Sequence, residues 1–280
     1  MERWPIGVFA SIDAGLGVKL EVAHELGIKT VQLHAPRKET RTAKQAQAFL
    51  ERLAELGITI TAVFGGFEGE SYADIPTVIK TVGLVPPETR PKRTREIKEI
   101  ADFTRLLGID VVGLHLGFVP HERSDPIYSD VLDVTREICD HCTALRQRLH
   151  LETGQESAEA LLQFISDVQR DNLFVNFDPA NMILYGSGKP IEALRKIGPH
   201  VRSVHCKDAK WAQKPGQEWG SEVPLGEGDV GMENFLRTLN DVGYEGPLTI
   251  EREIPQEPER QKEEIAHGMR LLEELKTKIG

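Results

Sequence analysis

Residues Asp171–Asn181 read DNLFVNFDPAN. Within them, Leu173–Phe177 is an apolar run of strand length that stops on a carboxylate, Asp178, with Pro179 directly after it. A continuous apolar run fits a strand buried on both faces of a parallel sheet. An acid at the C-terminal end of such a strand lies where barrel enzymes keep their chemistry. Three other stretches repeat the pattern: HLETG carries Glu152, VRSVHCKD carries His205 and GPLTIERE carries Glu251. Two Glu, one Asp and one His at four strand ends form a metal-ligand set, with three oxygen donors and one imidazole suited to a divalent cation. The competing reading is four unrelated polar groups that cap backbone or pair with Lys and Arg.

Working outward, strand-then-helix units recur about eight times, and no composition break marks a linker. The expected strands are Ile6–Ala10, Thr30–His34, Ile58–Phe64, Asp110–Leu116, Leu149–Glu152, Leu173–Asp178, Val201–Cys206 and Pro247–Glu251. Helices are expected at Val18–Leu26, Thr42–Leu56, Arg93–Leu107, Tyr128–Arg148, Ser157–Gln169, Ile191–Ile197, Met232–Val242 and Pro258–Lys278, several closed by glycine. Two long loops remain, Gly65–Pro91 and Lys207–Val230, and loops of that length in a compact domain are usually lids or binding loops. The pattern predicts an α/β chain forming one closed (β/α)8 TIM barrel over residues 1–280. No Gly-x-Gly-x-x-Gly follows the first strand, so no dinucleotide fingerprint supports an open doubly wound sheet.

Composition narrows the function classes. Charged residues make up 28% and hydrophobic residues 40%, an ordinary soluble balance, and no apolar run reaches membrane-span length. The N-terminal MERWPIGVFASID lacks the apolar core of a signal peptide. A net charge of −10 argues against a nucleic-acid partner. Cys139, Cys142 and Cys206 are an odd, sparse set that fits a reducing compartment, so the expected location is cytoplasmic.

The motifs LETGQE, NFDPAN, VHCKDAK, PLGEGDV and LTIERE lie in order between Leu151 and Glu253, and VQLHAP and VGLHLG precede them. Through them the chain resembles the xylose-isomerase-like barrel superfamily, in its branch of sugar and sugar-phosphate isomerases and epimerases. The resemblance implies one divalent metal, manganese first and magnesium, cobalt or zinc as alternatives, held by Glu152, Asp178, His205 and Glu251. It implies a metal-dependent isomerase or epimerase of a sugar or sugar phosphate, with proton transfer through a metal-bound enediolate. Glu152 and Glu251 would be the catalytic acid/base pair while also ligating the metal. A keto-inositol dehydratase uses the same proton abstraction and is the nearest alternative; an abasic-site endonuclease and a sugar-binding barrel without turnover are the more distant ones. Relatives also imply a homo-oligomer, dimer or tetramer, which the residues alone leave open.

Five further residues are expected to contact substrate. His34 and His115 end the second and fourth strands; the resemblance suggests substrate contacts or second-site metal ligands, against histidines satisfied by backbone. Glu156 follows the metal glutamate as a substrate-binding Glu does in related epimerases, yet Thr153-x-x-Glu156 also matches a capping box. Asn181 stands where many relatives carry His in Asp-x-x-His; Asn bonds a sugar hydroxyl well and ligates zinc poorly, which weakens the endonuclease reading. Lys207 would meet a hydroxyl, carboxylate or phosphate, or pair with a nearby acid.

Overall fold

The computed structural model describes residues 3–13, 17–253 and 257–279, so both ends of the expected 1–280 domain and residues 254–256 lie outside the described residues. Eight parallel strands run β1 (Ile6–Ser11), β2 (Thr30–His34), β3 (Thr59–Gly65), β4 (Val111–Leu114), β5 (Arg148–Glu152), β6 (Leu173–Phe177), β7 (Val201–Cys206) and β8 (Leu248–Ile250). Each pairs with the next in sequence, and β8 returns to β1 through the register Ile6 with Leu248 and Val8 with Ile250. The sheet is therefore a closed barrel, and no barrel strand is left with a free edge.

The pleat sorts the side chains. Val8, Leu33, Val63, Leu114, Leu151, Phe177, Val204 and Ile250 belong to the large apolar cluster between strands and helices. The alternate positions face the barrel axis, where Phe9, Ala62, Phe64 and Val111 make a small separate cluster. The rest of that interior is polar: Gln32, His150, Asn176, Ser203 and Thr249 are all buried. His150 Nδ1 lies 2.8 Å from Ser203 Oγ, and Gln32 Nε2 donates to Asn176 Oδ1 at 3.3 Å.

The helices start and stop where side chains satisfy their free backbone groups. They are α1 (Leu20–Glu25), α2 (Ala43–Leu56), α3 (Ile75–Thr81), α4 (Arg90–Leu106), α5 (Pro126–Ala144), α6 (Ala158–Val168), α7 (Pro179–Tyr185), α8 (Pro190–Ile197), α9 (Met232–Asp241) and α10 (Pro258–Ile279). Thr42, Asp74, Asp125, Ser157 and Asp178 accept from the amides of the first turns of α2, α3, α5, α6 and α7. Among the described residues no helix is long and apolar enough to cross a membrane.

The structure corrects several expected boundaries. Val18–Lys19 pairs along β1 instead of opening the first helix, which starts at Leu20. The loop expected over Gly65–Pro91 contains α3, whose Val78 packs with Val82 and Tyr185. Helix α5 ends at Ala144, not Arg148, because Arg146 turns to φ 58 and Arg148 is drawn into β5. Helix α7 went unseen because its seven residues are all buried, so it shows no amphipathic stripe. The loop over Lys207–Val230 contains an antiparallel ribbon that pairs Asp208–Lys210 with Ser221–Val223.

The buried interior sets a pH dependence. Burial pushes His150 down to about 3, while an unfolded histidine titrates near 6.5. Below about pH 6.5 the unfolded chain therefore binds a proton that the folded chain refuses, so stability falls as pH drops toward the folded value. The urea midpoint is expected to decline from pH 6.5 to 4, and His150→Gln should make that decline shallower; an unchanged slope would mean that other groups carry it.

Candidate active site

Because inward positions alternate, the ends of β5, β6, β7 and β8 turn Glu152, Asp178, His205 and Glu251 toward the axis at the C-terminal rim. One donor atom from each lies within 4.8 Å of all the others. His205 Nδ1 is 2.6 Å from Glu152 Oε1, 3.0 Å from Glu251 Oε2 and 3.8 Å from Asp178 Oδ2. All four expected metal ligands thus meet at one point.

His205 and Asp178 are oriented by neighbours. His205 Nε2 bonds Gln32 Oε1 at 2.6 Å; Gln32 has its amide nitrogen committed to Asn176, so its oxygen faces the ring as an acceptor. Nε2 is therefore the donor, and Nδ1 presents its lone pair to the carboxylates. Asp178 Oδ1 accepts from the amides of Ala180 and Asn181 at 2.8 and 3.1 Å, which leaves Oδ2 aimed at the centre. Phe9 and Phe64 pack against the His205 ring, with centroids at 5.5 and 5.2 Å.

Glu152 Oε1, Asp178 Oδ2 and His205 Nδ1 are buried and make no hydrogen bond. Oxygen and nitrogen lone pairs this close repel unless a positive charge lies among them. The donor set, hard oxygens with one imidazole, fits a divalent metal. Without one, a proton answers the same demand: burial works against a charged His205, yet Glu251 and Glu152 hold its pKa well above the usual value. Burial pushes Glu152 up to about 7. At Glu251 burial acts in the same direction, but His205 and Lys207 outweigh it and hold the carboxyl below its ordinary range.

The four-residue centre opens into a cavity of about 600 Å³, lined by Phe9, His34, Phe64, Tyr72 and His115 among others. His34 and His115 thus reach the cavity, and each has a buried Nδ1 without a partner. Burial lowers both, His115 to about 4, so both rings are neutral. The His115 ring stacks on Tyr185, which in turn packs against Trp219 at 4.6 Å.

Three other expected contacts lie off the cavity. Lys207 Nζ sits behind Glu251 at 3.3 Å and bonds Glu253 at 3.0 Å, so the ion-pair alternative describes it. Asn181 Nδ2 donates to the Thr153 carbonyl at 3.2 Å, and the Thr153 hydroxyl bonds the Asp178 backbone. Asn181 therefore braces the two loops that carry Glu152 and Asp178. The capping box is not formed: α6 begins at Ala158 with Ser157 as its cap. Glu156 instead accepts from Gln155 and lines a small apolar space with Leu116, Tyr128 and Phe164, where burial pushes it up to about 7.

PLGEGDV also has a structural explanation. The amides of Gly226, Gly228 and Val230 donate to the Asp208 carboxylate at 2.9, 3.1 and 3.2 Å. A Cβ at Gly228 would lie 2.1 Å from Asp208 Oδ1, so only glycine fits there. These amides cradle an anion, but it is the chain's own. Sequence reading missed Gln32, Phe9 and Phe64; their signal was their place at inward positions of β1, β2 and β3.

His205→Ala is expected to lower the metal content of the purified protein, read by elemental analysis. Gln32→Leu should leave the ligands in place but cost about 10–100-fold in metal affinity, because the imidazole tautomer is no longer held. Unchanged affinity would remove Gln32 from the orienting chain.

Residues 20–275 match the sequence model of the xylose isomerase-like TIM barrel family. A solved xylose isomerase domain protein from Planctomyces limnophilus is 58% identical and superposes with a TM-score of 0.97 over 99% of both chains. A D-tagatose 3-epimerase-like protein has the same fold, with a TM-score of 0.73 at 18% identity over 98% of both chains. Inosose dehydratase from Clostridium botulinum is 27% identical over 115 residues, 37% of this chain. The chain spans less than two thirds of the length of the curated relatives it matches, 38% in the case of that dehydratase.

Proposed function

Since the chain belongs to the xylose isomerase-like TIM barrel family, we propose that it is a metal-dependent isomerase or epimerase of a sugar or sugar phosphate. The observation that carries this reading is the convergence of Glu152, Asp178, Glu251 and the free Nδ1 of His205 beside a cavity large enough for a sugar. A divalent cation bound there would polarise a ketone and make the adjacent C–H acidic.

The chain's own groups supply the rest. Glu152 and Glu251 reach the centre from β5 and from the end of β8, on either side of the β7 histidine, so a substrate lying there is flanked by two carboxylates. One removes the proton beside the carbonyl, and the other returns a proton from the opposite face. Lys207 behind Glu251 keeps that carboxylate in the ionised form from which it can accept a proton. Glu152, on the other flank, is the group placed to exchange a proton from the opposite face. His34 and His115, neutral and with unfilled ring nitrogens, are placed to meet substrate hydroxyls. Phe9 and Phe64 give an apolar wall that limits water at the reacting carbon.

A second reading, dehydration of a keto-inositol, is supported by the similarity to inosose dehydratases. It begins with the same proton abstraction and ends in loss of a hydroxyl.

The test is solvent exchange. Metal-loaded protein in D₂O with ketoses, ketose phosphates and keto-inositols should introduce deuterium at a single carbon of one compound, read by NMR. Loss of water from the same compound would select the dehydratase reading. Glu251→Gln should fold normally and lose about 10²–10⁴-fold in the exchange rate; full activity in that variant would overturn its role as base.

A further inference from the structure

The outer part of the cavity is built by the turn after β2, residues 35–41, facing the start of the β3–α3 segment. Arg41 lies in this wall with its side chain only 7% exposed. Its guanidinium is held on two sides: Nε donates to the Pro36 carbonyl at 2.6 Å and Nη2 to Glu96 at 3.1 Å. Nη1 is buried and has no acceptor among the described residues. A buried donor on a charged group is expensive to leave unmade, so an unmatched one beside a cavity marks a place for a ligand atom.

The neighbouring acids do not meet this demand. Glu70 is committed to the amides of Phe67 and Gly83 at 2.9 and 2.7 Å. Glu68 pairs with Lys92 at 3.2 Å, and Glu96 is the partner Arg41 already has. Glu39 is exposed to solvent on the same turn, where its charge is screened. Arg37 stands exposed at the lip, and its guanidinium has no partner among the described residues. The buried donor left unmatched at this end is that of Arg41.

We propose that Arg41, with Arg37 at the lip, forms a subsite for a terminal oxyanion, carboxylate or phosphate, on a substrate whose ketone end lies at Glu152, Asp178, His205 and Glu251. The proposal rests on the sugar-isomerising reading above and narrows its substrate class to acidic ketoses. A guanidinium already fixed by Pro36 and Glu96 is pre-organised, so little side-chain entropy is lost when the oxyanion binds.

The test uses D-fructose, D-fructose 6-phosphate and D-fructuronate, which share a ketose head and differ only at the sixth carbon. Their binding to the full-length, metal-loaded protein is measured by titration calorimetry. At least one anionic compound should bind about tenfold or more tightly than fructose, the scale of one charge-assisted contact. Which of the two it is distinguishes phosphate from carboxylate. Arg41→Gln should erase the preference without changing fructose binding, and Arg41→Lys should keep part of it. If Arg41→Gln does not fold, the wild-type preference and the lysine variant still decide. Equal or undetectable binding of all three compounds by wild type overturns the subsite, as does an Arg41 variant that weakens all three alike. An anion preference that persists after metal removal, with no contribution from the ketose head, would support the subsite and overturn the metal-dependent reading instead.

Discussion

Three carboxylate oxygens surround Nδ1 of His205, the nearest at 2.6 Å, in a place where none of the four side chains is more than 13% exposed. Left alone, these groups would spread apart; burial and like charge both oppose the arrangement. Three of the four are anchored from behind. Gln32 bonds the far nitrogen of the imidazole, the α7 amides hold one oxygen of Asp178, and Lys207 stands against Glu251. The barrel is the frame that makes such anchoring possible, since its pleat brings one inward side chain from each neighbouring strand to the same height.

The same constraint explains why much of the barrel interior is polar. Gln32 orients His205 only if its own amide is satisfied, which Asn176 does from across the axis. His150 and Ser203 form a second pair within the same interior. An all-apolar interior would pack as well but would leave the ring orientation unspecified. Apolar area is concentrated outside the strands instead, where Val8, Leu33, Leu151 and Phe177 meet the helices.

The loops divide into those that brace and those that meet the cavity. Thr153 and Asn181 tie the ends of β5 and β6 together. Asp208 gathers the glycine-rich turn onto its carboxylate and so fixes the ribbon that brings Glu222 toward Lys207. Glu222 also receives Arg252, which connects this ribbon to the end of β8 beside Glu251. The β3–α3 segment contributes Phe67 and Tyr72 to the cavity, and α3 anchors it against Tyr185. The first residues of the expected loop line the cavity, while its second half is packed structure.

The barrel and the convergence of Glu152, Asp178, His205 and Glu251 were legible in the sequence, because both follow from local pattern. Apolar runs ending in Glu, Asp, His or Glu mark a strand and its C-terminal end, and period-two alternation then places those side chains inward. Tertiary structure decided what depends on distant partners. Lys207, Glu156 and Asn181 read as substrate contacts by their nearness in sequence to the four converging residues; in the structure they bond Glu253, Gln155 and Thr153. Gln32 is separated from His205 by 173 residues, so no local pattern could pair them. Helix α7 and the 208–210/221–223 ribbon were equally hidden, since a short, wholly buried helix has no polar face and a three-residue strand has no period to read.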